Sequence, residues 1–201
     1  MHAYLSLYRL DFAAAETKSW PDGIGAALVA EGALASGDHI FIDQGTPQPT
    51  AITQAVVLCF MLTNTQGTGE NCLESQVVEV PEPFLLRLDE VAFPPGAQAY
   101  RHVHPGPGFR HLLRGQLRLE ADDHSFDAKV GDTWFEAANS PVRATATASE
   151  PETRFVRCMI LPPHFQGRPT ISILDPRDAE RPKRQTTHRH VDRILDHFDA
   201  G

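Results

Sequence analysis

The stretch RHVHPGPGFRHLLRG, residues 101–115, sets two histidines one residue apart and follows them with a proline- and glycine-rich connection. Side chains alternate across a β-strand, so a strand over residues 99–104 projects His102 and His104 from one face and Val103 from the other. Two imidazoles on one face can chelate one ion, yet in a chain with 10 histidines such a pair also arises by chance. The flanking sequence decides between these readings. A second strand over residues 109–114 sends Arg110 to the same face as Gly108, with Phe109 and His111 turned away.

Outward from this stretch, 16 prolines and 14 glycines cut the chain into short runs rich in Val, Ile, Leu, Phe and Thr. Strands are expected over residues 27–31, 39–43, 55–64, 76–80, 84–93, 99–104, 109–114, 116–121, 125–128, 132–136, 142–147 and 153–161. Short strands at this spacing point to an antiparallel sandwich or barrel. Helix is scarce. Residues 3–15 fit a helix or a strand, and Val191, Ile194, Leu195 and Phe198 stand at helical spacing, which predicts a short amphipathic helix over 190–198. Before it, DPRDAERPKRQTTHRH, residues 175–190, reads as an extended arm, lying over a neighbouring surface or loosely ordered.

Eighteen basic against 26 acidic residues give a formal charge of -8, which repels phosphate backbones and anionic lipid surfaces, so nucleic acid is not expected as a partner. The longest apolar run, residues 55–62, is far below the roughly 20 residues of a membrane-spanning helix. The N-terminus MHAYLSLYRLDF lacks the basic start and continuous apolar core of a signal peptide. These features predict a soluble, cytoplasmic protein with no membrane partner. Cys59, Cys72 and Cys158 give neither a disulfide framework nor a zinc-knuckle spacing, and Cys59 and Cys158 read as buried thiols.

Upstream of the two histidines lies FPPGAQAYRHVH, and downstream RGQLRLEADDHSFDAKVGDTWFEAANSPV forms hairpins and a Gly-Asp turn. Here the sequence resembles the cupin superfamily. The family's first motif is Gly, five residues, His-x-His, three or four residues, Glu, six residues, Gly. This chain supplies Gly96, His102, His104, then Gly108 in place of the Glu, then Gly115. Of the second motif Gly131 survives, with Ala137 and Asn139 at the Pro and Gly positions, Val142 at the His and Ala146 at the Asn. The resemblance covers about residues 84–162. It implies an all-β fold, the cupin-type double-stranded β-helix or jelly-roll barrel, with a pocket inside. On that basis residues 1–83 are a β extension packing on or completing the barrel, 84–163 the barrel, and 164–201 an arm with a short helix. Gly96, Gly115 and Gly131 fall where tight connections favour positive φ.

A cupin metal usually has three histidines and a glutamate, and this chain offers two of the four. Two imidazoles and water hold a divalent ion weakly, so something compensates or the metal is absent. Glu136, in TWFEAA, is costly to bury unless paired or bound to an ion, which makes it the candidate third ligand; otherwise it faces solvent at the barrel mouth. Arg110 can pair with Glu136 in a metal-free polar pocket, grip an anionic ligand through its planar fork, or sit at the rim. Trp134 is assigned to the pocket wall as a second substrate-binding residue. His111 belongs to the outer face, and His124 and His164 to loops. His188 and His190 repeat the local pattern beside charges, and no metal site is assigned to them.

The leading expectation is a divalent ion, whether iron, zinc, manganese or nickel, on His102, His104 and Glu136, with Arg110 orienting a small anionic molecule. Iron there would suit oxygen-dependent chemistry, and zinc or manganese would act as a Lewis acid. The rival expectation is a metal-free sensor or carrier whose pocket uses the same residues to hydrogen-bond its ligand. A third is an assembly module that exchanges its outer strands. Strands outside a closed barrel leave edges, so a homodimer is expected. No phosphate-binding loop and no G-x-S-x-G elbow is present.

Overall fold

The computed structural model describes residues 1–148 and 152–198. The first part of the chain forms β1 (His2–Phe12), β2 (Ile24–Glu31), β3 (His39–Ile42), β4 (Ala55–Thr63) and β5 (Cys72–Glu79), one antiparallel sheet in the order β3-β2-β4-β1-β5. β1 settles the ambiguity over residues 3–15 in favour of strand. The central strand β4, AVVLCFMLT, is apolar at every position but the last because both its faces are covered. Leu58, Phe60 and Leu62 face the rest of the protein. Val57, Cys59 and Met61 face the other way, beneath Trp20, Leu34 and Ala51 from the sheet's own connections.

The remainder forms β6 (Phe84–Phe93), β7 (Gln98–Val103), β8 (Gly108–Arg114), β9 (Gln116–Ala121), β10 (Ser125–Lys129), β11 (Thr133–Glu136), β12 (Val142–Ala146), β13 (Thr153–Leu161), β14 (Ser172–Ile173) and β15 (Thr186–Leu195). These make two antiparallel sheets, β10-β9-β12-β7-β14 and β11-β8-β13-β6-β15, which face each other as the expected jelly-roll barrel. Phe93, Leu112, Leu117, Trp134 and Phe155 fill one end of its interior. Gly96, Gly115 and Gly131 carry φ of 68°, 77° and 91°, the left-handed values that make glycine the fitting residue there.

The N-terminal sheet stacks on the outside of the barrel. Leu5, Leu7, Leu58 and Phe60 meet Phe84, Leu86, Leu88, Phe109 and Val156, all buried. His111 points into this seam, as an outward-facing residue of β8 must, with its Nδ1 2.8 Å from Thr133 Oγ1. Burial, reinforced by the charge of Arg9, pushes its pKa down to about 4. Cys59 and Cys158 are buried free thiols whose pKa burial raises. Among the described residues no helix is long and apolar enough to cross a membrane.

The C-terminal segment corrects one expectation and decides between the two alternatives of another. Residues 190–198 are not a helix: β15 runs along the edge of β6, with Thr186 opposite Ala92 and Leu195 opposite Phe84. The backbone edge of β6 offers hydrogen bonds along its whole length, and a strand can meet them where a helix cannot. Val191, Leu195 and Phe198, spaced as for a helix, join the apolar seam from this strand and the residues after it. Nor is the arm loose. The guanidinium of Arg87, 1% exposed, ties it down by donating to Asp192 Oδ1 (2.7 Å), Arg168 O (2.8 Å) and Phe165 O (2.7 Å). The helical pieces among the described residues are a single turn at Pro163–Phe165 and α1 (Pro176–Ala179), capped by Asp175, whose Oδ1 accepts from the Arg177 amide at 2.9 Å. Residues 199–201 of the expected arm lie outside the described residues.

The buried histidines predict how stability responds to pH. His102, His104 and His111 all sit below the 6.5 of a free imidazole. Below that pH the unfolded chain takes up protons that the folded chain refuses, so stability falls as pH drops from 6.5 toward 4. The unfolding temperature is expected to decline steadily from pH 7 to pH 5, above the range where carboxylates titrate, and His111→Gln is expected to flatten that decline. A flat profile in the unaltered protein would contradict the assignment.

Candidate ligand pocket

His102 and His104 reach the interior through an irregularity in β7. Ala144 stands opposite Ala99 and Val142 opposite His102, so β7 spends one residue more than β12 over the same span. This bulge shifts the alternation and brings His102 onto the inner face alongside Ala99. Tyr100 O accepts from His102 Nδ1 at 2.7 Å. A carbonyl can only accept, so the proton of this imidazole is on Nδ1 and its Nε2 presents a lone pair.

The opposite wall is a row of cross-strand neighbours. Asp89 on β6 stands beside Arg157 on β13, Arg157 beside Arg110 on β8, and Arg110 beside Trp134 on β11. Arg157 grips Asp89 with both arms of its fork, Nε to Oδ1 at 2.6 Å and Nη2 to Oδ2 at 3.1 Å. Its remaining arm, Nη1, donates to His104 Nε2 at 3.2 Å. Arg110 donates Nη1 to Gly108 O at 2.6 Å, and its Nη2 lies 2.8 Å from Glu136 Oε2. That last contact is close enough for charge pairing but is not aligned as a hydrogen bond, and Nη2 is buried with its N–H unspent. Glu136 Oε1 accepts from Trp134 Nε1 at 3.0 Å.

The C-terminal arm closes the mouth. β14 pairs with β7, Ile173 opposite His102, and carries Thr170 to His104, whose Nδ1 lies 3.2 Å from Thr170 O. The carbonyl fixes the proton on Nδ1, which leaves Nε2 to accept from Arg157, so both nitrogens of His104 are engaged by the protein. The cavity measures about 140 Å³, close to the roughly 150 Å³ that holds a benzene-sized molecule. Val91, Phe93, Leu119, Val142 and Phe155 supply its apolar wall, and Gln185 lines it with a buried Oε1 that has no partner. Burial lowers the pKa of His102. Burial and the charges of Arg157 and Arg110 hold His104 well below the ordinary value, so both imidazoles are neutral at pH 7. Arg110 is lowered by burial and supported by Glu136.

The predicted site residues thus converge: His102, His104, Arg110, Trp134 and Glu136 all line one cavity. Sequence reasoning did not find Arg157, Asp89, Thr170 or Gln185. The usable signal for the first two was charge inside largely apolar strands, Arg87 and Asp89 two residues apart in FLLRLDEVAF and Arg157 in TRFVRCMIL.

Two facing antiparallel sheets closed around a histidine- and arginine-lined cavity are the architecture of a cupin. Residues 89–157 match the family model described as Cupin domain, and the barrel has the cupin fold. Among solved structures, a deletion mutant of the oxalate decarboxylase OxdC of Bacillus subtilis is similar over 90% of this chain and 73% of its own, with 12% identity and a TM-score of 0.57. The likeness concerns fold alone, and its extent takes in the N-terminal sheet as well as the barrel. A Cupin 2 conserved barrel domain protein from Leptotrichia buccalis aligns over 79% of this chain and 84% of its own, with 19% identity and a TM-score of 0.43. The polyketide cyclase RemF from Streptomyces resistomycificus aligns over 47% of this chain at 18% identity and a TM-score of 0.36, and the match spans 63% of the cyclase. A search of curated proteins returned no match.

The side chains present do not fit the divalent ion that the superfamily implies. The motif's Glu position is Gly108, where an added Cβ would overlap the carbonyl oxygen of Cys158, and the second-motif His position is Val142, part of the apolar wall. His104 Nε2 already accepts from a guanidinium, and Glu136 is paired with Arg110 and Trp134. Two buried arginines line the space where a cation would have to sit, which opposes metal binding by direct repulsion. His102, His104 and Glu136 do not bring ligand atoms together at metal-binding spacing; among the described residues that spacing occurs at His39, Glu90 and His190.

Proposed function

We propose that this cupin is a metal-free binding protein for a small anionic molecule with a flat or compact apolar body. The observation that carries the reading is the unspent N–H of buried Arg110, which lines a cavity that also has an apolar wall. A carboxylate there receives a charge-assisted hydrogen bond, and the ligand's body packs against Trp134, Phe155 and Val142. The charges lining the cavity favour an anion: Arg87, Arg110, Arg157 and Arg189 against Asp89 and Glu136. His102 Nε2 and Gln185 Oε1 add acceptors suited to a ligand hydroxyl. Such a barrel acts as a sensor or carrier, and closure of the arm through Thr170 provides the means by which occupancy could be signalled.

Benzoate and hydroxybenzoate are suitable probes, titrated calorimetrically into tag-free protein in the presence of EDTA. Saturable binding that persists in the chelator is expected, weakened about 10- to 100-fold in Arg110→Met/Glu136→Gln, which removes both partners and leaves no orphaned charge. Binding that requires added metal, or is indifferent to the double substitution, would overturn the proposal.

A further inference from the structure

A second cluster lies outside the barrel, where the outermost strand of the N-terminal sheet, β3, meets the outermost strand of the barrel sheet, β15. His39 is the first residue of β3. His190 stands at the bulge of β15 between Arg189 and Val191, and Glu90 is on the adjoining strand β6. His190 Nε2 is 2.6 Å from Glu90 Oε2, and the His39 ring stacks on that of His190 with centroids 3.7 Å apart and planes within 11°. One nitrogen from each imidazole and one carboxylate oxygen all lie within 4.8 Å of one another.

We propose that His39, Glu90 and His190 form a site for a divalent transition-metal ion of the zinc class, which staples the N-terminal sheet to the barrel. Two imidazole nitrogens and a carboxylate oxygen are a ligand set that zinc accepts at about 2.0–2.2 Å, with water completing the tetrahedron. Donors at that bond length stand roughly 3.3 Å apart. The His190–Glu90 contact therefore opens slightly as the ion replaces the shared proton, and His39, which is exposed, tilts out of the stack to aim its lone pair. Little backbone movement is needed, because the side chain that must turn most is the one least enclosed.

The surroundings suit a cation better than the barrel pocket does. A solvent-open cavity of about 320 Å³ adjoins His39 and Glu90 and is lined also by Glu31, Asp38 and Arg154, which leaves room for the water ligand. Arg154 Nη1 is 3.7 Å from Glu90 Oε1, the oxygen turned away from His190, and the same guanidinium is paired with Glu152. It thus orients the carboxylate from behind, as outer partners of metal ligands do, and leaves Oε2 for the ion. His188, with its ring centroid 4.8 Å from that of His190, lies on the same side of the cluster. The three ligands come from positions 39, 90 and 190, so an ion here ties together segments that no local spacing connects.

The test is calorimetric titration of zinc chloride into the full tag-free chain after chelator treatment and dialysis. One zinc per chain is expected, with affinity reduced at least about tenfold in His39→Ala and in Glu90→Gln and unchanged in His124→Gln, a control in an exposed turn. Zinc is also expected to raise the unfolding temperature of the unaltered protein and not that of His39→Ala, which distinguishes a staple from surface binding. Absence of saturable binding, or affinity and thermal shift unaltered by His39→Ala, would overturn the proposal. The barrel-pocket reading stands or falls separately.

Discussion

Asp89→Ala is expected to cost the fold about 3–5 kcal/mol, a large part of the roughly 5–15 kcal/mol that holds a typical domain together. Asp89 is fully buried, and both its oxygens are gripped by Arg157. Truncating it strands a guanidinium inside the barrel beside Arg110 and His104, with no anion to compensate. The energy of the pair itself is much smaller than this loss, because desolvating two ions offsets most of their attraction. The double substitution Asp89→Leu/Arg157→Met is therefore expected to recover most of the stability, since it removes both charges together and keeps the volume. Urea unfolding of the three proteins measures both effects. A loss below about 1 kcal/mol in Asp89→Ala would mean that Arg157 finds other partners and that the row of charges does not organise the wall.

Gly108→Glu writes the superfamily's missing ligand back into the first motif, and it is expected to damage the protein without creating a metal site. β8 passes so close to β13 here that any Cβ overlaps Cys158 O and stands 3.0 Å from Met159 Cα. Both are backbone atoms of a central strand and cannot turn aside as a side chain would. Overpacking of this kind costs about 1–3 kcal/mol, and an added carboxylate on the strand beside Glu136, which stands opposite Gly108, raises the figure. Unfolding in denaturant together with metal titration gives the readout. Tight metal binding at undiminished stability would show that the pocket is a cupin metal centre lacking one ligand rather than a differently built site.

The polar pocket was legible in part because strand alternation is a strong constraint. His102, His104 and Arg110 follow from strand alternation, Glu136 from the cost of burying an acid among apolar neighbours and Trp134 from barrel packing, and all five line one cavity. The bulge in β7 was not legible, since simple alternation would pair the histidines with Gln98 and Tyr100 rather than Ala99. Arg157 and Asp89 are not legible because each sits in a long, largely apolar strand, where a charge reads as an edge or an interruption until its cross-strand partner is known. The residues after 185 were misread because Val191, Ile194, Leu195 and Phe198 satisfy a helical spacing as well as an irregular strand. The open edge of β6, a feature of the whole fold, decided between the two. The same fact hid the His39–Glu90–His190 cluster, which exists only once β15 lies against β6 and β3.

The central claim, that the barrel pocket is held together by its own ion pairs and leaves Arg110 to receive an anion, is tested most directly by anomalous diffraction from crystals grown with manganese or zinc. No anomalous peak is expected between His102 Nε2 and His104 Nε2, with the Arg157–His104 hydrogen bond intact. A fully occupied metal at that position, with Arg157 swung away, would contradict it.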